Sequence, residues 1–70
     1  MLTTGEKVKI LLKRQGMTAG ELAERTGQTR QNLSNKMQRD NFTESDIKAM
    51  AAALGCSCRI VFVDAEGNEL

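Results

Sequence analysis

The sequence predicts a mainly α-helical chain, with four short helices followed by a C-terminal β-strand or short hairpin. Residues that cap helix N-termini recur ahead of apolar residues spaced for one face of a helix. Glycines follow three of these stretches, in the position where helices commonly end. The periodicity changes near residue 59, where β-branched and aromatic residues become consecutive, as is typical of a strand.

The first helix is predicted from about Thr4 to Gln15. Val8, Leu11 and Leu12 recur at i, i+3 and i+4, which forms one apolar stripe. Gly16 then provides the C-terminal stop.

A second helix is predicted to begin directly afterwards. Thr18 and Glu21 have the spacing of a capping box, in which the hydroxyl and the carboxylate each accept a backbone N–H of the first turn. This helix is short and ends at Gly27, which we expect in a left-handed conformation.

The third helix, from Arg30 to about Gln38, is predicted to follow a cap at Thr29. Leu33 and Met37 share one face and form a thin apolar seam. The outward face is wide and polar, and it comprises Arg30, Gln31, Ser34, Asn35 and Gln38.

A fourth helix is predicted after a cap at Thr43 or Ser45, and Gly55 ends it. Its core stripe repeats at i, i+3, i+4 and i+7 and consists of Ile47, Met50, Ala51 and Leu54. The segment 59–64 is predicted as a strand, and a turn at residues 66–68 would let the last residues return beside it.

Length and composition exclude several classes of protein. Seventy residues form one domain, 1–70, with a helical core over 4–55 and a C-terminal element over 56–70. The chain has no histidine, the commonest general base and metal ligand, so we expect neither an enzyme nor a metal or cofactor site. Cys56 and Cys58 are interpreted as reduced thiols. Without a signal peptide or an apolar span, we expect a cytoplasmic protein with no membrane partner and no small-molecule ligand.

The charges are divided between the two halves of the chain. Residues 1–39 carry eight basic and three acidic side chains, whereas residues 40–70 carry two basic and six acidic ones. This division suggests a basic surface for an acidic partner in the first half.

The second and third helices together have the features of a helix-turn-helix, in which two short helices flank a turn containing glycine. Ala23 is small where the two helices cross, Gly27 accepts the backbone angle of the turn, and Leu22 and Leu33 anchor the pair. The run TAGELAERTGQTRQNLSNKM resembles the helix-turn-helix of the phage Cro and repressor family, also called the Xre family. The later run IKAMAAALG also matches, so the resemblance covers about residues 5–55.

The resemblance implies a four-helix, repressor-like domain and a sequence-specific DNA-binding transcriptional regulator, acting as a repressor, that reads the major groove with the third helix. The chain departs from the family pattern at three positions. Ala19 stands where a glutamine commonly touches a phosphate, and Gln28 and Lys36 stand where apolar residues are usual.

In this motif the N-terminal part of the second of the two helices contacts base edges. The predicted base contacts are Arg30, Gln31, Ser34 and Asn35. Arg30 lies at the edge of this face and would also suit a phosphate. The predicted phosphate contacts, which orient a protein without reading sequence, are Thr18, Thr29, Asn32, Lys36, Arg39 and Asn41.

Such proteins usually bind DNA as dimers, and the predicted strand offers a means of dimerisation. Ile60 and Phe62 face one way, and Val61 and Val63 the other, so both faces are apolar. We expect residues 57–64 to pair between two chains; the alternative is a local hairpin within one chain. A second hypothesis for function is an antitoxin or adaptor, a protein-interaction module built on the same fold.

Overall fold

Each of the four helices begins at a threonine whose hydroxyl accepts a backbone N–H of the first turn. The structure, a computed structural model, describes residues 1–70. Its helices are α1 (Thr4–Gln15), α2 (Ala19–Arg25), α3 (Arg30–Arg39) and α4 (Glu44–Ala53). The caps are Thr3, Thr18, Thr29 and Thr43. A complete capping box forms at α1, α2 and α4, where an acidic side chain in the first turn accepts the backbone N–H of the threonine. The predicted helices are confirmed, and Thr43 rather than Ser45 caps α4.

The four helices also end alike. Each is followed by a residue with positive φ, and the N–H of the next residue donates a hydrogen bond back across the last turn of the helix. After α2, Gly27 has a φ of 70°, and the N–H of Gln28 donates to the carbonyl of Ala23 at 2.9 Å. This pattern satisfies carbonyls that would otherwise lack partners at the helix end. The left-handed conformation predicted for Gly27 is therefore confirmed.

At the end of α3 an aspartate takes the place of glycine. Asp40 has a φ of 50°, and its Oδ1 accepts the backbone N–H of Gly5 at 2.8 Å. Gly5 is buried, and a Cβ at this position would lie 3.2 Å from the carbonyl oxygen of Met37. The first turn of α1 therefore approaches the last turn of α3 closely, and the Asp40 carboxylate joins the two.

The hydrophobic core takes residues from all four helices. Its buried members are Val8, Leu12, Leu22, Ala23, Leu33, Met50 and Leu54. Leu22 and Leu33 are fully buried, and Ala23 is 1% exposed, as expected for a small residue where α2 packs against α3. Ile47, Ala51 and Met37 from the predicted stripes are only partly buried.

The strand predicted over 59–64 is not formed as a regular element. The only β-pairing is one antiparallel bridge between Val63 and Glu69, closed by a turn in which Asp64 Oδ1 accepts the backbone N–H groups of Glu66 and Asn68. A strand needs a neighbour to bond its backbone groups, and within one chain only residues 68–70 return alongside. The segment therefore does not form a regular strand, although its residues have high strand propensity.

None of the helices has the length and apolar character needed to cross a membrane.

Candidate nucleic-acid interface

Two amides project from the outward face of α3. Gln31 and Asn35 are exposed and lie one helical turn apart, and Gln31 Nε2 donates to Asn35 Oδ1 at 3.1 Å. Their side chains therefore already lie side by side on the outward face of the helix. An amide of this kind can donate to N7 of adenine and accept from its N6 amino group in a bidentate pair, or bond other base edges singly.

The other two predicted base contacts lie on a different side of α3. Ser34 is half-buried and, with Arg30, lines a cleft that α3 forms with α1 and α2. The stem of Arg30 passes over the first turn of α2, where its Cδ lies 3.8 Å from the position of a Cβ on Gly20. The structure thus places Gln31 and Asn35 together and sets Arg30 and Ser34 to one side.

A polar network holds the turn that leads into α3. Thr29 Oγ1 accepts the backbone N–H of Asn32 at 3.0 Å, and the Asn32 amide donates to Gln28 Oε1 at 3.4 Å. Gln28 in turn donates to Thr26 Oγ1 at 2.8 Å, and that hydroxyl donates to the carbonyl of Leu22 at 2.9 Å. Gln28 therefore ties the turn to both helices of the motif by hydrogen bonds.

Lys36 is engaged on the far side of α3. Its Nζ lies 2.8 Å from Asp46 Oδ1, and the two side chains are 27% and 18% exposed. The hydrogen bond from Lys36, followed by that from the Thr43 backbone, lowers the pKa of Asp46 below its ordinary value. This ion pair braces α3 against the first turn of α4.

The remaining predicted phosphate contacts are exposed at the ends of helices. Thr18 caps α2, and Arg39 and Asn41 lie at and just after the end of α3. Sequence reasoning missed two residues close to this surface: Lys9, which lines the cleft beside Arg30, and Asp40, which joins α3 to α1. No local pattern places either one, since both depend on the packing of α1 against α3.

The electrostatic character of α3 favours an anionic partner. Its ten residues contain Arg30, Lys36 and Arg39 and no carboxylate. Two carboxylates lie at the start of α4, where Glu44 pairs with Lys48 and Asp46 with Lys36. A helix with a polar face and no acidic residue suits the phosphate-lined groove of DNA.

Two short helices that pack on a shared core around a glycine turn, the second of them carrying exposed amides, define a helix-turn-helix protein. The sequence model of the Cro/C1-type helix-turn-helix DNA-binding domain matches residues 7–59. The chain belongs to this family, which confirms both the resemblance and the predicted four-helix fold. It is therefore a DNA-binding regulator of the helix-turn-helix class. No curated protein and no solved structure is significantly similar to the chain.

Proposed function

We propose that this protein is a sequence-specific transcriptional regulator that inserts α3 into the major groove of DNA and acts as a repressor. The observation that carries the proposal is the exposed pair of Gln31 and Asn35, joined at 3.1 Å on a helix without carboxylates. Exposed amides contribute little to the stability of a surface helix, and their hydrogen-bonding groups match base edges.

Within this proposal the residues of α3 have different roles. Gln31 and Asn35 read bases, with Ser34 and Arg30 at the margin of the reading face. Thr18, Thr29, Arg39 and Asn41 bond phosphates and orient the helix. Asn32 and Lys36 join them only by exchanging their present partners, Gln28 and Asp46, for phosphate oxygens.

Repression follows from occupancy of a site that overlaps a promoter, and it requires no cofactor or catalytic step. The proposed target places the protein in the cytoplasm, together with the DNA it regulates.

We also propose that the protein acts as a homodimer through its C-terminal segment. Ile60, Val61, Phe62 and Val63 are between 40% and 76% exposed, which is unusual for consecutive apolar residues. The radius of gyration is 13.0 Å, whereas a compact chain of this length has about 11 Å. The only β-pairing of this exposed segment is the Val63–Glu69 bridge, so a free edge remains, the arrangement that favours pairing with a second chain.

Random-site selection with the full chain, followed by affinity measurements across salt concentrations, tests the proposed function. We expect one enriched motif, bound much more tightly than a scrambled duplex. Affinity for that motif should fall on the order of a thousandfold between about 50 and 200 mM salt if six or more phosphates are contacted. Failure to enrich any motif, with weak binding that varies little with salt, would contradict the proposal and favour an adaptor that binds protein.

A further inference from the structure

A cleft of about 280 Å³ opens where α1, α2 and α3 meet. Its apolar lining is Leu12, Ala19 and Met37, and its polar lining is Lys9, Arg30, Ser34 and Gln38. A water molecule occupies roughly 30 Å³ of liquid, so the cleft has room for a group of several heavy atoms. It borders the face of α3 that carries Gln31 and Asn35, because Arg30 and Ser34 precede those residues by one position each.

The cleft carries two positive charges and no negative one. Lys9 and Arg30 come from different helices, and no acidic residue lines the cleft. The salt bridges of the structure involve Lys36, Lys48 and Arg59, so neither Lys9 nor Arg30 is paired. The carboxylate one turn before Lys9 belongs to Glu6, which accepts the backbone N–H of Thr3 at 2.9 Å and interacts with Lys9 through charge without forming a salt bridge. Two unpaired cations beside a polar cleft attract an anion.

Small residues in α2 make space for one of these cations. Gly20 has no side chain, and the stem of Arg30 runs across it; Arg30 Cδ and Thr18 Oγ1 would each lie 3.8 Å from a Cβ at this position. A larger residue than alanine at position 20 would displace the Arg30 stem, and a long side chain in place of Ala19 would fill the cleft. The planar guanidinium binds phosphate oxygens in pairs, while the lysine ammonium binds them as a point charge.

We propose that this cleft holds one phosphate of the DNA backbone, bound by Lys9 Nζ from α1 and by the guanidinium of Arg30 from α3. The inference rests on the proposed function and deepens it in two respects. Arg30 orients the protein on DNA rather than reading a base. Helix α1, which lies outside the helix-turn-helix, contributes a contact that fixes the angle of α3 in the groove.

The test compares Lys9→Gln and Arg30→Gln with a matched control, Lys7→Gln, in the full chain. Lys7 lies on the same helix and loses the same charge, but it lines a groove next to α4 instead of this cleft. Fluorescence anisotropy measures affinity for the selected duplex and for a scrambled duplex at several salt concentrations, and random-site selection is repeated with each variant.

We expect Lys9→Gln and Arg30→Gln each to weaken binding to both duplexes by a similar factor. Each should lower the slope of log affinity against log salt concentration by about one and leave the selected motif unchanged. Lys9→Arg should restore the slope, and Lys7→Gln should leave it as in the wild type.

Two results would overturn the inference while leaving the proposed function intact. One is a Lys9→Gln variant with the same slope as Lys7→Gln. The other is an Arg30→Gln variant that changes the preferred base at one position, since this would make Arg30 a base reader. A wild-type chain that enriches no motif would overturn the proposed function and this inference together.

Discussion

At the residue scale, the conformations of individual glycines determine what a substitution does. Gly20 lies in the first turn of α2, and a Cβ added there would meet its nearest atoms at 3.8 Å, an ordinary van der Waals distance. Gly20→Ala should therefore raise the free energy of unfolding by about 0.4–1 kcal/mol, because alanine has the higher helix propensity and loses less entropy on folding. Urea denaturation measures the change.

Gly16→Ala is the matched control for this prediction. Gly16 has a φ of 63° and open space around it, so alanine there is strained without any clash. We expect it to lower the free energy of unfolding by about 1 kcal/mol. If both substitutions shifted stability in the same direction, the assigned conformations would be contradicted.

Asp40 is predicted to stabilise the fold through its side chain and not merely through its backbone angle. Asp40→Ala removes the acceptor for the Gly5 N–H and places alanine at a φ of 50°, so it should cost about 1–2 kcal/mol. Asp40→Asn retains an oxygen and tolerates this φ, and it should cost less than about 0.5 kcal/mol. Equal losses in the two variants, measured by urea denaturation, would show that the hydrogen bond to Gly5 is unimportant.

The same residue shows where prediction from sequence fails at this scale. Three of the capping threonines were predicted because cap and partner are only three residues apart; Thr3 has the same spacing to Glu6 and was missed, although its local pattern was available. Asp40 bonds Gly5 across 35 residues of sequence, and its left-handed φ is unusual for a residue other than glycine. Neither property leaves a local pattern.

At the scale of elements, the pair Lys36–Asp46 links α3 to α4 and makes stability depend on pH. The pKa of Asp46 is lowered in the folded state, mainly by its hydrogen bond with Lys36. Its contribution is therefore fully present well above the ordinary aspartate pKa of 3.8 and is lost as the pH falls through the lower folded-state pKa. The free energy of unfolding should decline on acidification through this range.

Asp46→Asn should lower stability at pH 7 by about 1 kcal/mol and reduce its loss on acidification. Part of the loss of stability on acidification should remain in this variant, because hydrogen bonding to Thr3 lowers the pKa of Glu6 as well. Glu24→Gln is the control, since Glu24 is exposed and forms no salt bridge. Chemical denaturation between about pH 2 and 7 measures the free energy of unfolding of both variants. An Asp46→Asn profile that runs parallel to that of the wild type would contradict the assignment.

The helices were largely predictable as elements, whereas the C-terminal segment was not. Apolar spacing and caps lie within each helix, so the bounds of α1 agreed with the structure and α3 differed by one residue. A strand depends on a partner that the local sequence does not specify, and residues 59–64 therefore have strand composition without strand structure.

At the scale of the whole molecule, the exposed apolar segment predicts a dimer in solution. Phe62→Asp places a charge on a side chain that is 76% exposed in the single chain, so it should leave the helical fold intact and separate the proposed dimer. Leu70→Asp, at a similarly exposed residue outside the proposed pairing segment, is the control and should remain dimeric. Sedimentation velocity of the three proteins gives their masses. A wild-type chain that sediments as a monomer would refute dimerisation through this segment.

The candidate site could be predicted from sequence only in part. The outward face of α3 follows from the buried seam at Leu33, and the exposed positions of Gln31 and Asn35 agree with that prediction. The cleft beside Arg30 brings together residues from three helices, and the partner of Lys36 lies on a fourth. Contacts of this kind arise from the packing of whole helices.

The central claim is that Gln31 and Asn35 read the DNA sequence. Random-site selection with the wild type, Gln31→Ala and Asn35→Ala, and with Ser45→Ala as a control on α4, tests it most directly. The account predicts that each of the two α3 variants loses about 1–3 kcal/mol of discrimination at a particular base pair, while Ser45→Ala retains the wild-type motif. The same motif and the same affinity in all four proteins would contradict it.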